Sequence, residues 1–588
     1  MHQKRSVRVA AAQLHAGADV AENLATCLRV IDRAMAVKPD LLVLPEFCNH
    51  LSWYDDPAHC YRVSVSLDGP FVRALSEKAR EHGIHLVVNC TVQREAGIAT
   101  GTSLLFGPDG RLLGTSDKQV LMGHENDMLR RATSPSPIIE TAIGRLALYA
   151  CMDGVIQETP RCLALRGAQI LCNSLNSFAP DEGSLHVPVR AAENRVFVVA
   201  ANKIGPLIPE VLVEPVSQAT SIPARFLSGA GESQIVAPDG TVLARASITD
   251  EEVVWADIHP EEADDKRRPD GTDRFRARRP ALYARLAQAP TPIPASFGAE
   301  SLSVAVYQPA PGDNAVDALL RQAETLRHAG TQLLVLPELF GFETSQLSDP
   351  TAALAHRQWL IQALTTLCRD ARLELVTSLP MAAPNGLRHG AVLIDASGVV
   401  FEQAQLHAVA AHPWVTALGE GVAVVARPWG RLGLIVGDDL IYPEVSRLLA
   451  LEGADVVAAP IQAREAWEAS LGWLERSGEN RFCLAVATRP TPFASSLITN
   501  LWADFTLMTP WQSRAFDGII SRPLATVAST ASGDSAQDSS GASPVANAGL
   551  TFAQVRPRSA ENKVLSHRTH LLNDRPWQLI DALIQTTP

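Results

Sequence analysis

The sequence predicts an α/β fold assembled twice within one chain. Three observations carry that prediction: short apolar runs that alternate with helical stretches, motif blocks that recur in the same order, and a proline-rich break between the two copies.

The apolar runs in the first half are VRVAAAQL, LLVLPEF, IHLVVNCTV, TSLLF, RLALYAC, AQILCNS and VFVVAAN. Strands this continuously apolar must be hidden on both faces, so they predict buried sheets with helices laid over them. Asn23–Ala36 and Phe71–His82 supply the helical spacing for that cover, and a further helix is expected over Thr159–Arg166.

LLVLPEF at Leu41–Phe47 returns as LLVLPELF at Leu333–Phe340. GRLALYACMDG at Gly144–Gly154 returns as GRLGLIVGDDL at Gly430–Leu440, and RCLALRGAQIL at Arg161–Leu171 as RLLALEGADVV at Arg447–Val457. AENRVFVVA at Ala192–Ala200 is echoed by GENRFCLAV at Gly478–Val486. A period of about 290 residues is far too long for a solenoid and means a duplicated domain. The copies join in LAQAPTPIPASFGAE, Leu286–Glu300, which gives expected domains at 1–290 and 301–588 with a linker at 291–300. Thr526–Ala548, rich in Ser, Ala and Gly, reads as a loop inside the second copy.

Composition removes several classes. With 46% hydrophobic and 19% charged residues the chain is too apolar for general disorder. A net charge of −12 and the lack of a Lys/Arg run argue against nucleic-acid binding. No apolar stretch reaches the roughly 18 residues of a membrane span, and VAAAQL is too short for a secretory signal and reads as a first strand. Nine cysteines with no Cys-x-x-Cys pair fit neither a disulfide framework nor a zinc ribbon, so a reducing cytoplasm is expected. Phosphate-loop, zinc-helix, dinucleotide and serine-elbow motifs are all missing, so no cofactor or metal is expected.

Glu46, Lys118 and Cys151 each close a strand, where α/β folds place their chemistry. Singly, a buried thiol or a paired charge explains each of them. Together they supply acyl transfer through a thioester, which needs a thiol, a base to take its proton, and a cation for the thiolate and the oxyanion.

LLVLPEF, the lysine of TSDKQVL, YACMD and AENRVFVVAANKIG resemble, in that order, the motifs of the nitrilase superfamily of carbon–nitrogen hydrolases. The resemblance covers residues 6–285, ending in RRPALY at Arg278–Tyr283, and more weakly 301–580, ending in DRPW at Asp574–Trp577. It implies two four-layer α-β-β-α sandwiches paired as an intramolecular pseudo-dimer, with further homo-oligomer assembly left open. It also implies Cys151 as nucleophile, Glu46 as general base and Lys118 as transition-state stabiliser. The second glutamate of many family amidases would match Glu125 in GHEND, although an exposed loop carboxylate explains it equally.

The second copy departs from this set. Glu338 matches Glu46, but Gln405 stands at the lysine position and Gly437 at the nucleophile position, so this half is expected to be catalytically degenerate. Asp438 and Asp439 lack His or Cys companions for a metal, and His407 and His412 read as structural histidines.

Asp153 in CMD resembles the amidase and carbamoylase branches, whereas many nitrilases carry glutamate there; a capping or turn-forming role ahead of the helix at Thr159–Arg166 is as good an account. Asn173–Arg195 follows the next strand and is expected to line the pocket. Asn173, Asn176 and Ser177 offer polar contacts and Phe178 an apolar wall. His186 or Arg190 would meet a substrate carboxylate, unless the arginine only pairs with Asp181, Glu182 or Glu193. The expected activity is a cofactor-free thiol amidohydrolase acting on a small amide or N-carbamoyl compound. Nitrile hydrolysis or acyl transfer by the same thiol, and a non-catalytic binding or scaffold protein, are the alternatives.

Overall fold

Alternate residues of the strand Val7–Ala12 enter two different cores, and that alternation builds the layers. In the computed structural model, which describes residues 5–309, 314–529 and 549–586, Val7, Val9 and Ala11 pack toward Leu146, Leu148, Ile170 and Val198 of a second sheet. Ala10 and Ala12 pack instead with Cys27, Val30, Ile31, Phe71 and Leu75 of the helices Val20–Ala34 and Pro70–His82. A strand buried on both faces has no polar side to show, which is why these runs read as continuously apolar. Asp19 caps the first helix by accepting the backbone N–H of Ala21 and Glu22, and Gly83, at φ +65°, ends the second.

Each half contains two six-stranded mixed sheets. In the first half, one sheet runs Val253–Ile258, Val7–Ala12, Leu41–Val43, His85–Gln93, Ala99–Phe106, Leu112–Asp117. Its partner runs Val242–Arg245, Gln234–Val236, Phe197–Ala201, Ile170–Ser174, Gly144–Ala150, Ile138–Thr141. Central strands pair in parallel and outer strands antiparallel. The second half repeats the arrangement, with Leu302–Tyr307, Leu333–Val335 and Glu374–Ala383 central in one sheet and Gly430–Leu434, Val456–Pro460 and Cys483–Ala487 in the other. The molecule is therefore α/β, with the two α-β-β-α sandwiches that the motifs imply. The expected helix over Thr159–Arg166 is present as Glu158–Leu165.

The halves meet through helices, and their contacts are reciprocal. Arg161 Nε lies 2.9 Å from Glu444 Oε1, and Arg447 Nε lies 2.9 Å from Glu158 Oε1. Arg190 pairs with Glu479 at 2.8 Å, and Arg476 pairs with Glu193. All eight side chains are buried, and each residue of one half corresponds to its counterpart in the repeat, as an isologous interface requires. Each half also sends its C-terminal segment across. Arg268 reaches Asp438 at 2.7 Å and Arg278 reaches Glu444 at 3.1 Å, while Thr569 Oγ1 accepts the Gly123 N–H at 2.9 Å and Asp574 meets Arg131 at 3.1 Å.

Residues 289–301 carry no helix or strand. Thr526 and Val527, expected in the Ser/Ala/Gly-rich loop, are instead the end of the edge strand Leu524–Val527, because Val527 pairs with Leu497. Residues 530–548 of that stretch lie outside the described residues. No helix among the described residues is long and apolar enough to cross a membrane.

Candidate active site

Glu46 follows the buried strand Leu41–Val43 and is fixed by its own N–H, which donates to Leu175 O at 3.0 Å. The next residue, Phe47, turns the chain at φ +51°, and its N–H is held by Asn89 Oδ1 at 3.0 Å. Lys118 leaves the strand Leu112–Asp117 and brings its ammonium to 2.8 Å from both Glu46 Oε1 and Glu125 Oε2. Glu125, on the short helix Glu125–Met128, also accepts the Met122 N–H at 2.9 Å. The structure thus brings Glu125 into the cluster, and the solvent-loop account of it does not hold.

Cys151 sits where the strand Gly144–Ala150 breaks into a helical turn, at φ +46° and ψ −107°. This is a strained conformation for a residue with a Cβ, and strain of this kind persists where neighbours over-determine it. Here the Cys151 N–H is held by Ser174 O at 3.0 Å and Asn173 Oδ1 at 3.2 Å. Asp153 braces the turn from within, accepting the N–H of Gln119 at 3.0 Å, Val120 at 2.8 Å and Ala150 at 3.3 Å. It therefore ties the segment that follows Lys118 to the Cys151 turn, the turn-forming role rather than the cap.

Burial and charge set the protonation. Burial pushes the Glu46 carboxyl up to about 7, against the pull of Lys118. Burial alone would lower the Lys118 ammonium, but Glu125 and Glu46 hold it well above the usual lysine range. Burial, joined by Glu46, pushes the Cys151 thiol well above its ordinary value, while Lys118 opposes. The cluster therefore rests as thiol and ammonium with a base poised near neutrality, and the cation stands ready for negative charge that appears during attack.

A pocket opens over Cys151, lined by Met122, Met152, Val155, Asn176, Ser177 and Phe178, with Asp181, Glu182 and His186 on one side. Leu507, Ile520, Ser521 and Leu565 close it from the second half. Asp181 Oδ2 anchors this wall by accepting the N–H of Ile520 at 3.0 Å, Ser521 at 2.6 Å and Arg522 at 3.2 Å. Asn173, Asn176, Phe178 and His186 all reach the site or its pocket. Arg190 does not: fully buried, its guanidinium is turned into the contact between the halves, donating to Gly154 O, Val155 O, Glu193, Glu475 and Glu479, and it does not line the pocket. His186 lies 2.9 Å from Glu475; burial works against its protonation, yet Glu475 lifts it to about 9, leaving an ion pair of zero net charge. The wall from the second half was missed by sequence reasoning because nothing local in Leu507 or Ile520 signals a pocket. Asp181 was considered only as an arginine partner.

The second half reproduces the scaffold with other side chains. Gly437 occupies the elbow at φ +53°, and Asp439 braces it by accepting the N–H of Leu406 at 2.7 Å and His407 at 3.1 Å. His407 also pairs with Asp439 at 2.8 Å and stacks 3.7 Å from Tyr442, which makes it a structural histidine as expected. Gln405 takes the lysine position, its N–H donating to His389 O at 2.8 Å as that of Lys118 donates to Gly101 O at 2.8 Å.

The carbon–nitrogen hydrolase family model matches residues 8–268 and again 303–521. Among curated relatives, a nitrilase of Pyrococcus abyssi is 25% identical over 265 residues, 45% of this chain and 94% of that protein. An omega-amidase of Danio rerio is 28% identical over 264 residues, 43% of this chain and 87% of that protein. Among solved structures, the amidase from Nesterenkonia sp. AN1 aligns with 44% of this chain and 92% of its own, at 23% identity and a TM-score of 0.37.

Proposed function

The chain belongs to the carbon–nitrogen hydrolase family, and from that premise we propose that it is a thiol amidohydrolase whose working centre lies in residues 1–290, with 301–588 a degenerate partner domain. One observation carries the reading: a single ammonium, Lys118, is held 2.8 Å from each of two carboxylates beside a thiol on a strained turn. In the first step the Cys151 sulfur bonds to the amide carbonyl carbon and its proton passes to Glu46, while Lys118 stabilises the oxyanion. Glu46 then returns the proton to the departing nitrogen, the C–N bond breaks, and ammonia or an amine leaves a thioester. Water, giving its proton to Glu46, attacks the thioester; the acid departs and the thiol is restored. Glu125 holds Lys118 in place and charged.

The lining supports a small amide with a neutral, mainly apolar acyl group. Met122, Met152, Val155, Phe178, Leu507, Ile520 and Leu565 supply apolar surface, and the described lining holds no arginine or lysine to receive a carboxylate. That weighs against dicarboxylic monoamides and N-carbamoyl amino acids. The glycine at position 437 supports catalytic silence in the second half, since it offers no nucleophile. A cytoplasmic setting is supported by nine cysteines that are all buried and unpaired.

The test is ammonia release by the intact chain and by Cys151→Ala across short aliphatic amides, aromatic amides, N-carbamoyl acids, dicarboxylic monoamides and nitriles. Turnover of neutral amides is expected, with loss to background in the variant. Turnover that survives without Cys151, or no turnover of any compound, would overturn the reading; preference for a nitrile or a carboxylated amide would overturn the substrate class.

A further inference from the structure

The second half keeps the glutamate of its motif but surrounds it with imidazoles. Glu338 is buried, and its Oε1 has no hydrogen-bond partner. That oxygen lies 3.8 Å from His389 Nδ1 and 3.9 Å from His412 Nε2, and the donor atoms of the three residues all fall within 4.8 Å of one another. His412 Nδ1 is likewise buried and unpartnered. Gly437 makes the arrangement possible, because a Cβ at this position would overlap Glu338 Oε1. The volume of the lost thiol side chain is thus taken by the carboxylate. A buried carboxylate oxygen that faces two ring nitrogens without a hydrogen bond is costly unless something binds it.

We propose that Glu338, His389 and His412 form a binding site for a divalent transition-metal ion of the zinc class. Two imidazoles and one carboxylate favour Zn²⁺, Co²⁺ or Fe²⁺ over Mg²⁺ or Ca²⁺, which prefer oxygen ligands alone. Bond lengths of about 2.0–2.2 Å require the ligand atoms to draw together from their present separations of 3.8 and 3.9 Å. His389 Nδ1 now lies 2.8 Å from Gln405 Oε1, and Nε2 lies 2.8 Å from Ser378 Oγ. Metal at Nδ1 displaces the proton shared with Gln405, and Nε2–H then donates to Ser378, the outer bond that metal-bound imidazoles commonly make. The neighbouring Asp438 does not compete, being held by Arg268 at 2.7 Å and Arg464 at 3.1 Å. An ion here would pin the loop carrying His412, which already touches the first half where the Ala410 N–H donates to Thr272 Oγ1 at 2.9 Å.

Two other clusters among the described residues serve as comparisons. In His124–Asp127–His567 the acid is already paired with Arg568, and in Asp32–Glu81–His82 Asp32 is paired with Lys78. The test is titration of the chelator-stripped full chain with Co²⁺, read by visible absorption and calorimetry, followed by competition with Zn²⁺. The expected result is one ion per chain, displaced by Zn²⁺, retained in Cys151→Ser, and weakened at least about tenfold in both Glu338→Gln and His412→Phe. Thermal midpoints measured without metal identify any variant that fails to fold, and His412→Phe, packed beside Trp414, guards against failure of the glutamate variant. No binding by the intact chain, binding undiminished from that of the intact chain in the two folded variants, or loss in His567→Ala instead would overturn the proposal. Retention in the thiol variant keeps this result separate from the amidase assay.

Discussion

Glu46 shows how burial carries a common carboxylate toward neutral pH. With its carboxyl raised to about 7, it is protonated below that value and accepts the thiol proton only above it. The expected pH profile of kcat/KM therefore rises through about pH 7 on its acid limb, measured on any amide the chain turns over. Glu46→Gln, which cannot accept a proton, should lose about 10²–10⁴-fold in kcat and flatten that limb. A profile already level by pH 5 would mean that the field of Lys118 outweighs burial. Strand-end position and motif order singled out Glu46, Lys118 and Cys151 in the sequence, and the fold gathers these three into one cluster. Arg190 misled because charge alone does not reveal direction. Its helix turns it away from the pocket and toward Glu475 and Glu479 of the other half.

At the scale of elements, the same elbow occurs twice and carries a thiol once. Both turns have positive φ, +46° at Cys151 and +53° at Gly437, and each is braced by an aspartate that accepts backbone N–H groups from the segment just after the strand Leu112–Asp117 or Gly398–Ala404. Asp153→Ala would leave three buried N–H groups unpaired, each worth about 1–3 kcal/mol when unsatisfied. Both thermal midpoint and kcat are expected to fall, since an ångström of movement in the lysine strand can cost about 100-fold. Asp439→Ala should lower the midpoint and spare kcat; an equal fall in kcat would show that the second elbow supports the first centre. A turn-forming Asp153 was legible in the sequence, but its partners were not, because Gln119 and Val120 lie more than thirty residues earlier in the chain. Strand and helix positions were more legible, since both faces of each central strand are buried and the apolar pattern is therefore unbroken.

At the scale of the whole molecule, the duplication makes the second half part of the first half's site. Pairing was foreseeable from the repeat, but the pairs themselves were not, because Arg161–Glu444 and Arg447–Glu158 join residues that no local pattern connects. Arg161→Ala should cost about 3–5 kcal/mol, as it leaves Glu444 buried with only Arg278 beside it; denaturant unfolding measures this, and a loss under 1 kcal/mol would mean that water reaches the interface. The pocket wall gives the more direct functional consequence. Ile520 is buried, its backbone is fixed to Asp181 of the first half, and its side chain faces the Cys151 pocket. Ile520→Ala removes apolar volume from that wall without touching Glu46, Lys118 or Cys151. The kcat/KM ratio for hexanamide over propionamide should rise about tenfold or more, because each methylene accommodated is worth about 1–3 kcal/mol. If both amides lose activity in parallel, the wall only supports the fold; if the ratio shifts while kcat for the short amide holds, residues of the second half set the reach of the Cys151 pocket.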